Sequence, residues 1–164
     1  MPTVRPLETA DLPRVLALNN ASARETSELD PVGLAGLVDA AWSVTTAAGS
    51  RDASVPDAFL IVMDQTAEYD SPNYAWFRAR HERFVYVDRI VVGAEARGRG
   101  LARRLYEDLF ARAREAGHSL VGCEVNKLPP NPSSDAFHEA LGFRVDGEAR
   151  LPNGKTVRYL TRDL

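Results

Sequence analysis

Apolar residues recur along the chain with two periods, and these periods predict where strands and helices lie. Residues 84–92 carry apolar side chains on both faces of an extended segment, which is typical of a central strand covered on both sides. After this strand, Leu105, Leu109 and Ala113 follow one another at four-residue spacing and predict a helix that ends at Gly117. The same criteria predict strands at 3–5, 42–47, 58–63, 119–125, 143–151 and 156–160 and helices at 12–20, 31–41 and 133–141.

Residues that cap helices or form turns stand between the predicted elements. Asp11 and Asp30 precede the first two helices and are typical N-cap residues. Ser71, followed by Pro72, is placed to cap a further short helix. Residues 49–52 predict a turn between two strands, and Asn153-Gly154 predicts the turn of a second hairpin.

The order of the central elements predicts the direction of two strands. Because a strand, a helix and a strand follow one another, a right-handed crossover makes strand 84–92 parallel to strand 119–125. Gly122, inside the second of these strands, indicates either a bulge or the close approach of another backbone. The predicted fold class is therefore α/β.

The turn between strand 84–92 and the following helix contains Gly98 and Gly100. Glycines leave the backbone accessible, and the start of a helix directs unpaired N–H groups and partial positive charge into the same space. A tight connection with a solvated basic first turn is the competing interpretation. Cations are unfavourable beside a helix N-terminus, so their presence favours a bound anion such as phosphate. The cations are Arg97, Arg99, Arg103 and Arg104.

The segment at 65–83 is unusual in its composition. It places Tyr69, Tyr74, Trp76 and Phe77 close together among polar residues. Two interpretations stay open. The aromatic residues pack on the domain as a surface insertion, or the segment forms a lid that walls an acceptor site, the place where a substrate would bind.

Length and composition limit the classes of protein to consider. A chain of 164 residues suits one domain, so we predict a single domain over 1–164. The formal net charge of −3 argues against binding nucleic acid through overall charge. No apolar stretch of about 18 residues and no signal-peptide core are found, so we expect a cytoplasmic protein. Cys123 has no second cysteine to pair with and is interpreted as a small buried apolar residue.

Two motifs carry a resemblance to a known family. Arg97-Gly98-Arg99-Gly100-Leu101-Ala102 resembles the acetyl-CoA-binding signature R/Q-x-x-G-x-G/A of the GNAT superfamily of N-acetyltransferases, and the match is complete. Residues 131–143 resemble the segment N-P-x-x-x-x-x-Y-x-x-x-G-F of the same family. The resemblance follows the order of elements over most of the chain and is specific from about Phe84 to Phe143.

The resemblance implies a GNAT-like fold, in which helices flank a mixed sheet. Its two central parallel strands splay apart, so that acetyl-CoA enters between them. Backbone N–H groups of the glycine turn would hold the pyrophosphate, and the exposed edge of strand 84–92 would pair with the pantetheine arm. No metal is implied. The residues expected to bind acetyl-CoA are Ile90, Val91, Val92, Arg97, Gly98, Arg99, Gly100, Leu101, Ala102, Arg103, Asn131, Ser134 and Phe137.

Acetyl transfer also requires groups that move protons. The departing thiolate leaves more easily when protonated, and the family often places a tyrosine for this purpose where His138 stands here. His138 is therefore a candidate acid, since an imidazole can donate a proton, and a packed structural histidine is the competing interpretation. Three tyrosines are alternatives: Tyr74, Tyr86 and Tyr106.

The acceptor amine must lose a proton, and two carboxylates are candidate bases. Asp88 lies on the central strand and Glu124 on the next one. Each has the competing interpretation of a solvated or salt-bridged carboxylate, and a water chain would serve equally well.

The favoured function is an N-acetyltransferase that moves an acetyl group from acetyl-CoA to a primary amine of a small molecule or peptide. A noncatalytic acyl-CoA-binding sensor is the alternative, and an RNA-binding protein that uses the arginine turn is a third hypothesis. A P-loop nucleotidase is disfavoured because no lysine and hydroxyl follow the glycines. We expect no membrane and no nucleic-acid partner, and a homodimer is left open.

Overall fold

A seven-stranded sheet with helices on both faces forms the framework of the protein. The computed structural model describes residues 2–23, 26–49 and 52–164. The strands are β1 (Thr3–Pro6), β2 (Ser43–Ala48), β3 (Ala58–Asp64), β4 (Val85–Val92), β5 (Leu120–Leu128), β6 (Arg144–Arg150) and β7 (Thr156–Asp163). The helices are α1 (Leu12–Ala21), α2 (Pro31–Ala40), α3 (Pro72–Arg80), α4 (Leu101–Glu115) and α5 (Pro132–Ala140), with short 3₁₀ turns at Thr9–Asp11 and Ala94–Ala96.

The strands follow the order β1-β2-β3-β4-β5-β7-β6 across the sheet. Neighbouring strands are antiparallel except β4 and β5, which are parallel and joined through α4. The predicted mixed α/β fold and the predicted parallel pair are therefore confirmed. Strand β7 lies between β5 and β6, so the last hairpin extends the sheet beyond β5.

The two parallel strands separate soon after they start to pair. Their partners are Val85 with Val121 and Tyr86 with Gly122, and no later pair joins these two fully described strands. On its other side, β4 carries a bulge, because Val87 pairs with Val62 and the next paired residue is Arg89, opposite Ile61. A bulge bends the strand that contains it, and this bend accompanies the divergence of β4 from β5.

The core has two parts, one on each face of the sheet. Helix α4 packs Leu101, Leu105 and Leu109 on one face, together with residues at the end of α5. Helices α1, α2 and α3 cover the opposite face, where Tyr74 and Phe77 of α3 are buried. In the described part of the chain, no helix is long and apolar enough to cross a membrane.

Most predicted elements lie where the sequence placed them, and two local interpretations need correction. Asp11 precedes α1, but its carboxylate does not cap that helix. It instead accepts hydrogen bonds from Arg5 at 2.7 and 2.9 Å. Gly122 gives room to the side chain of Phe77 and not to another backbone. The predicted turn at 49–52 falls partly on residues 50 and 51, which lie outside the described residues.

Candidate active site

A cleft of about 340 Å³ opens where β4 and β5 separate. Its walls come from the diverging strands, from helices on both faces of the sheet and from the loop between β6 and β7. Since side chains alternate along a strand, Cys123 and Val125 face α4 while Glu124 faces α3. The cleft therefore joins the two faces of the sheet. Its lining includes Tyr86, Asp88, Ile90, Tyr106, Glu124 and His138.

The glycine turn lies between the end of β4 and the start of α4. Gly98 and Gly100 adopt left-handed conformations, with φ of +77° and +76°. A Cβ atom at either position would meet no other atom within 4 Å, so the space beside this backbone is open. Helix α4 begins at Leu101, and no side chain caps its N-terminus. Open space, uncapped N–H groups and nearby arginines together fit a pyrophosphate group.

The other residues predicted to bind acetyl-CoA are not all equally placed. Ile90, Asn131 and Ser134 line the cleft. Phe137 packs instead against the ring of Tyr106, with ring centroids 5.9 Å apart, and does not line the cleft. The side chain of Val91 is buried with the core under α1 to α3, so only the backbone of this residue is suited to ligand contact. Among the turn arginines, Arg97, Arg99 and Arg103 are exposed.

Glu124 is the carboxylate held by neutral groups. Tyr86 Oη donates to Glu124 Oε2 at 2.6 Å, and Asn73 Nδ2 donates to Oε1 at 3.2 Å. Burial raises the pKa of the Glu124 carboxyl to about 8, although both hydrogen bonds favour the charged form and act against this rise. A group with such a pKa is suited to accept a proton near neutral pH.

Asp88 is in a different environment, although it lines the same cleft. Arg89 Nε donates to Asp88 Oδ2 at 2.8 Å, and Tyr69 Oη donates to Oδ1 at 2.5 Å. The same guanidinium donates to Asn19 Oδ1 at 3.0 Å and to the carbonyl oxygen of Ser27 at 3.3 Å. Asp88 is thus neutralised by a buried cation and occupied by donors, which leaves Glu124 as the cleft carboxylate without a cationic partner among the described residues.

His138 and Tyr106 form a pair on the α4 side of the cleft. His138 Nδ1 lies 2.7 Å from the carbonyl oxygen of Ser134, and since a carbonyl only accepts, Nδ1 carries a proton. Burial lowers the pKa of His138, so the ring is neutral at pH 7 and Nε2 is an acceptor. Tyr106 Oη therefore donates to His138 Nε2, at 3.1 Å. Burial also raises the pKa of the Tyr106 hydroxyl, which keeps its proton.

Two of the three tyrosines considered as alternative acids line the cleft. Tyr86 and Tyr106 line the cleft, whereas Tyr74 is buried outside it and donates to the carbonyl oxygen of Asp64 at 2.7 Å. Cys123 is buried as predicted, at 2% exposure, and burial raises the pKa of its thiol. Among the described residues, no group of three His, Cys, Asp or Glu side chains is arranged to hold a metal ion.

The segment at 65–83 contributes both to the core and to the cleft. Tyr74 and Phe77 pack in the core, while Tyr69, Ser71 and Asn73 line the cleft. Sequence reasoning missed Asn73 as a site residue. Its only signal was its position two residues after the N-cap Ser71, at the start of a helix suspected of forming a wall.

Comparison with known proteins identifies relatives over nearly the whole chain. The sequence model of the Acetyltransferase (GNAT) family matches residues 61–143. An L-methionine sulfoximine/L-methionine sulfone acetyltransferase of Pseudomonas aeruginosa strain PAO1 is 30% identical over 162 residues, which cover 96% of this chain and 89% of that protein. An L-2,4-diaminobutyric acid acetyltransferase of Wolinella succinogenes is 27% identical over 82 residues, or 50% of this chain and 47% of that protein.

Solved structures share the fold. A GNAT superfamily phosphinothricin acetyltransferase from Sinorhizobium meliloti, crystallised in complex with acetyl-CoA, superposes with a TM-score of 0.76. The superposition covers 99% of this chain and 88% of that one, with 19% sequence identity.

Proposed function

The chain belongs to the GNAT family of acetyltransferases and is an acetyl-CoA-dependent N-acetyltransferase, and from this premise we propose that it acetylates the primary amine of a small molecule, with Glu124 as proton acceptor and Tyr106 as proton donor. One observation carries the proposal. The separation of β4 from β5 brings both groups to a single cleft that is open to the two faces of the sheet.

Acetyl-CoA, when bound, supplies the acetyl group as a thioester, and its transfer to an amine removes a proton from nitrogen and adds one to sulfur. The glycine turn is suited to hold the phosphates through backbone N–H groups from Arg97 to Ala102, with Arg103 within reach as a counter-charge. Ile90 and Val92 lie on the part of β4 that has left β5, so their backbone is free to pair with an extended ligand arm.

Glu124 accepts the amine proton in this proposal. Its pKa of about 8 lies close to working pH, where a base combines a useful ionised fraction with a strong affinity for protons. Asp88 is less suited to this role because its oxygens are occupied by Arg89 and Tyr69. We assign Asp88 to holding Arg89, which in turn holds the segment around Ser27 at the cleft.

Tyr106 Oη supplies the proton for sulfur in this proposal, and to do so its O–H has to turn from His138 Nε2 towards the sulfur; His138 holds and positions that hydroxyl before the transfer. A neutral His138 whose Nε2 already accepts from Tyr106 has no proton to give at that atom. His138 thus stays a candidate for the chemistry, through Tyr106. Tyr86 is the other hydroxyl in the cleft, but its proton is held at 2.6 Å by the carboxylate of Glu124, a shorter bond than the one from Tyr106 to His138, so we assign Tyr86 to the base.

The acceptor is proposed to be an amino acid or a close analogue. The named substrates of the relatives, methionine sulfoximine, methionine sulfone and diaminobutyric acid, are all amino acids with a primary amine. A cleft of about 340 Å³ is of the size that small-molecule sites have. These observations favour a small molecule over a peptide.

A free-thiol assay with acetyl-CoA tests the proposal directly. The acceptor panel comprises methionine sulfone, methionine sulfoximine, 2,4-diaminobutyrate, phosphinothricin and a short peptide with a free N-terminus. We expect turnover with at least one amino acid and none with N-acetylated versions of the same compounds, because these have no amine to acetylate. Calorimetry with CoA accompanies the assay.

Each outcome points to one reading. If the protein binds CoA but releases no free thiol from acetyl-CoA with any amine of the panel, the acyl-CoA sensor is favoured over acetylation of a small molecule. Turnover confined to the peptide would contradict the proposed acceptor class while leaving the site assignments in place.

A further inference from the structure

Asn73 connects the first turn of α3 to the carboxylate of β5. Its side-chain amide nitrogen donates to Glu124 Oε1 at 3.2 Å, and its amide oxygen accepts from Tyr159 Oη at 2.9 Å. An ionised carboxylate only accepts, so the nitrogen of the amide has to face Glu124 and the oxygen has to face Tyr159. The carboxylate therefore selects the orientation of the Asn73 amide, and the hydroxyl of Tyr159 holds that orientation by donating to the amide oxygen.

Tyr159 is itself held firmly. The residue is 1% exposed and lies on β7 directly opposite Glu124. Its ring stacks on Trp76 at a centroid distance of 4.3 Å and an angle of 14°, and it meets Phe77 edge to face at 5.6 Å. Both partners belong to α3.

The hairpin of β6 and β7 has a glycine where the ring of Trp76 packs on Tyr159. A Cβ atom at position 147 would overlap the Trp76 ring, so the glycine of β6 makes room for this ring beside the sheet. On the helix, the guanidinium of Arg80 lies 4.1 Å from the centroid of the Trp76 ring. Helix α3 is therefore fixed relative to β6 and β7 close to the point where Asn73 reaches Glu124.

Other groups around Glu124 are already engaged. Tyr86 Oη occupies the second carboxylate oxygen, and Asp88 on the same strand is paired with Arg89. Tyr106 of α4 and Cys123 of β5 keep their protons because burial raises the pKa of both. Within the described part of the chain, the titratable groups that interact electrostatically with Glu124 are Tyr86, Asp88, Tyr106, Cys123 and Tyr159, and Asp88 is paired with Arg89.

We infer that Asn73 is a positioning residue for Glu124, held in its donor orientation by Tyr159, and that helix α3 in this way sets both the direction and the proton affinity of the base. The inference rests on the proposed function, in which Glu124 accepts the amine proton. Asn73 itself touches no reacting atom in this scheme.

Removal of the amide has a defined consequence. A donor to a carboxylate favours the charged form, so Asn73→Ala makes the carboxylate harder to ionise. We expect the acid limb of the pH profile of kcat/KM to move upward by about one pH unit. Well below the limb, kcat/KM then falls about tenfold, and it recovers at high pH. Tyr159→Phe keeps the ring stack and loses the hydroxyl, so a smaller shift in the same direction follows.

The experiment compares four variants with the wild-type protein at saturating acetyl-CoA and with the best amine of the panel. They are Asn73→Ala, Tyr159→Phe, Glu124→Gln and Arg78→Ala, the last being an exposed residue on the same helix that serves as the control. The amine substrate has the same pKa in every reaction, so a shift of the acid limb that occurs in one variant only reflects a group of the protein. Titration of Glu124 by carbon NMR in the free protein, with its signal assigned through Glu124→Gln, gives a readout independent of activity.

An upward shift in Asn73→Ala by both methods, with Arg78→Ala unchanged, supports the inference. An unchanged NMR titration of Glu124 in a folded Asn73→Ala protein overturns it. Loss of activity by the same factor at every pH also overturns it, because that is the mark of a structural role. The proposed function fails separately, if Glu124→Gln keeps the wild-type acid limb and rate.

Discussion

Replacement of Gly100 by alanine separates the strain of a left-handed turn from the loss of an anion site. An L-residue in this conformation costs about 1–2 kcal/mol, and a less flexible unfolded chain returns about 0.4–1 kcal/mol. The net loss is about 1 kcal/mol, or roughly 2–4 °C in Tm for a protein of this size. Gly117 is the matched control, since its φ is +84° and it follows the other end of α4.

Ligand binding distinguishes the two variants. Coenzyme A at a hundred times its Kd stabilises the wild-type protein by about 2.7 kcal/mol, which corresponds to roughly 5–11 °C in Tm. The Cβ of Gly100→Ala projects into the open space beside the turn, where the phosphates are expected. A tenfold loss of affinity leaves about 1.4 kcal/mol of that stabilisation and a hundredfold loss about 0.4 kcal/mol. We expect the thermal shift to fall at least by half.

Thermal unfolding with and without coenzyme A measures both effects in one experiment. Gly117→Ala should lose a similar amount of intrinsic stability but keep the full shift, because its Cβ meets only the flexible end of Arg83, 3.3 Å away. Arg97→Ala should reduce the shift less than Gly100→Ala, since in our proposal backbone N–H groups supply most of the contacts with the phosphates. A full shift in Gly100→Ala, or an equal loss in both glycine variants, would refute the phosphate assignment.

Three further outcomes are expected. Glu124→Gln should lower kcat by about 10²- to 10⁴-fold, the typical contribution of a general base. The pKa of Glu124 is higher in the folded protein than in the unfolded chain, so the wild-type protein loses stability as the pH rises from the unfolded pKa towards about 8. Glu124→Gln should therefore show a smaller decline in Tm over that range, which thermal unfolding in a pH series measures. Tyr106→Phe and His138→Ala should each lower kcat while calorimetry shows little change in coenzyme A affinity, and His138→Tyr should recover part of the rate. If Tyr106→Phe and His138→Ala both keep the wild-type kcat under conditions where acyl transfer limits the rate, the two residues have only a packing role. Gly122→Ala should destabilise the protein by about 1–3 kcal/mol in urea unfolding, because the added methyl overlaps the Phe77 ring, and no change would mean that the ring moves aside freely.

The sequence predicted best where local signals and the required packing agree. Helix α4 has a regular apolar spacing and glycines at both ends, and its predicted and observed positions coincide. The last hairpin follows from Asn153-Gly154, and the parallel pair follows from chain order alone. The divergence of β4 and β5 was expected only through the family resemblance. The two fully described strands pair at only two residue pairs, and the pattern of apolar residues does not show where pairing stops.

The chemistry of the site could not be read in the same way. Asp88 and Glu124 are equivalent in the sequence, since each is a carboxylate on a central strand. They differ in the partners that the fold gives them. Asp88 is bound by Arg89, the next residue, which lies beside a strand bulge and also reaches Asn19, whereas Glu124 is bound by an amide 51 residues before it. Burial and partner identity set the proton affinity of a carboxyl, and both depend on tertiary contacts.

The hydrogen bond from Asn73 has a consequence for the way acceptor specificity can change. Helix α3 lines the cleft with the same turn that orients Glu124, while its other faces pack against Tyr159 and the core. A substitution that moves this helix to admit a larger amine therefore also weakens the donor to the base, so KM and the acid limb of the pH profile should change together. Substitutions at Tyr69 act on Asp88 instead and leave the bond to Glu124 in place. Acceptor range and base strength are thus separable at Tyr69 and coupled at Asn73.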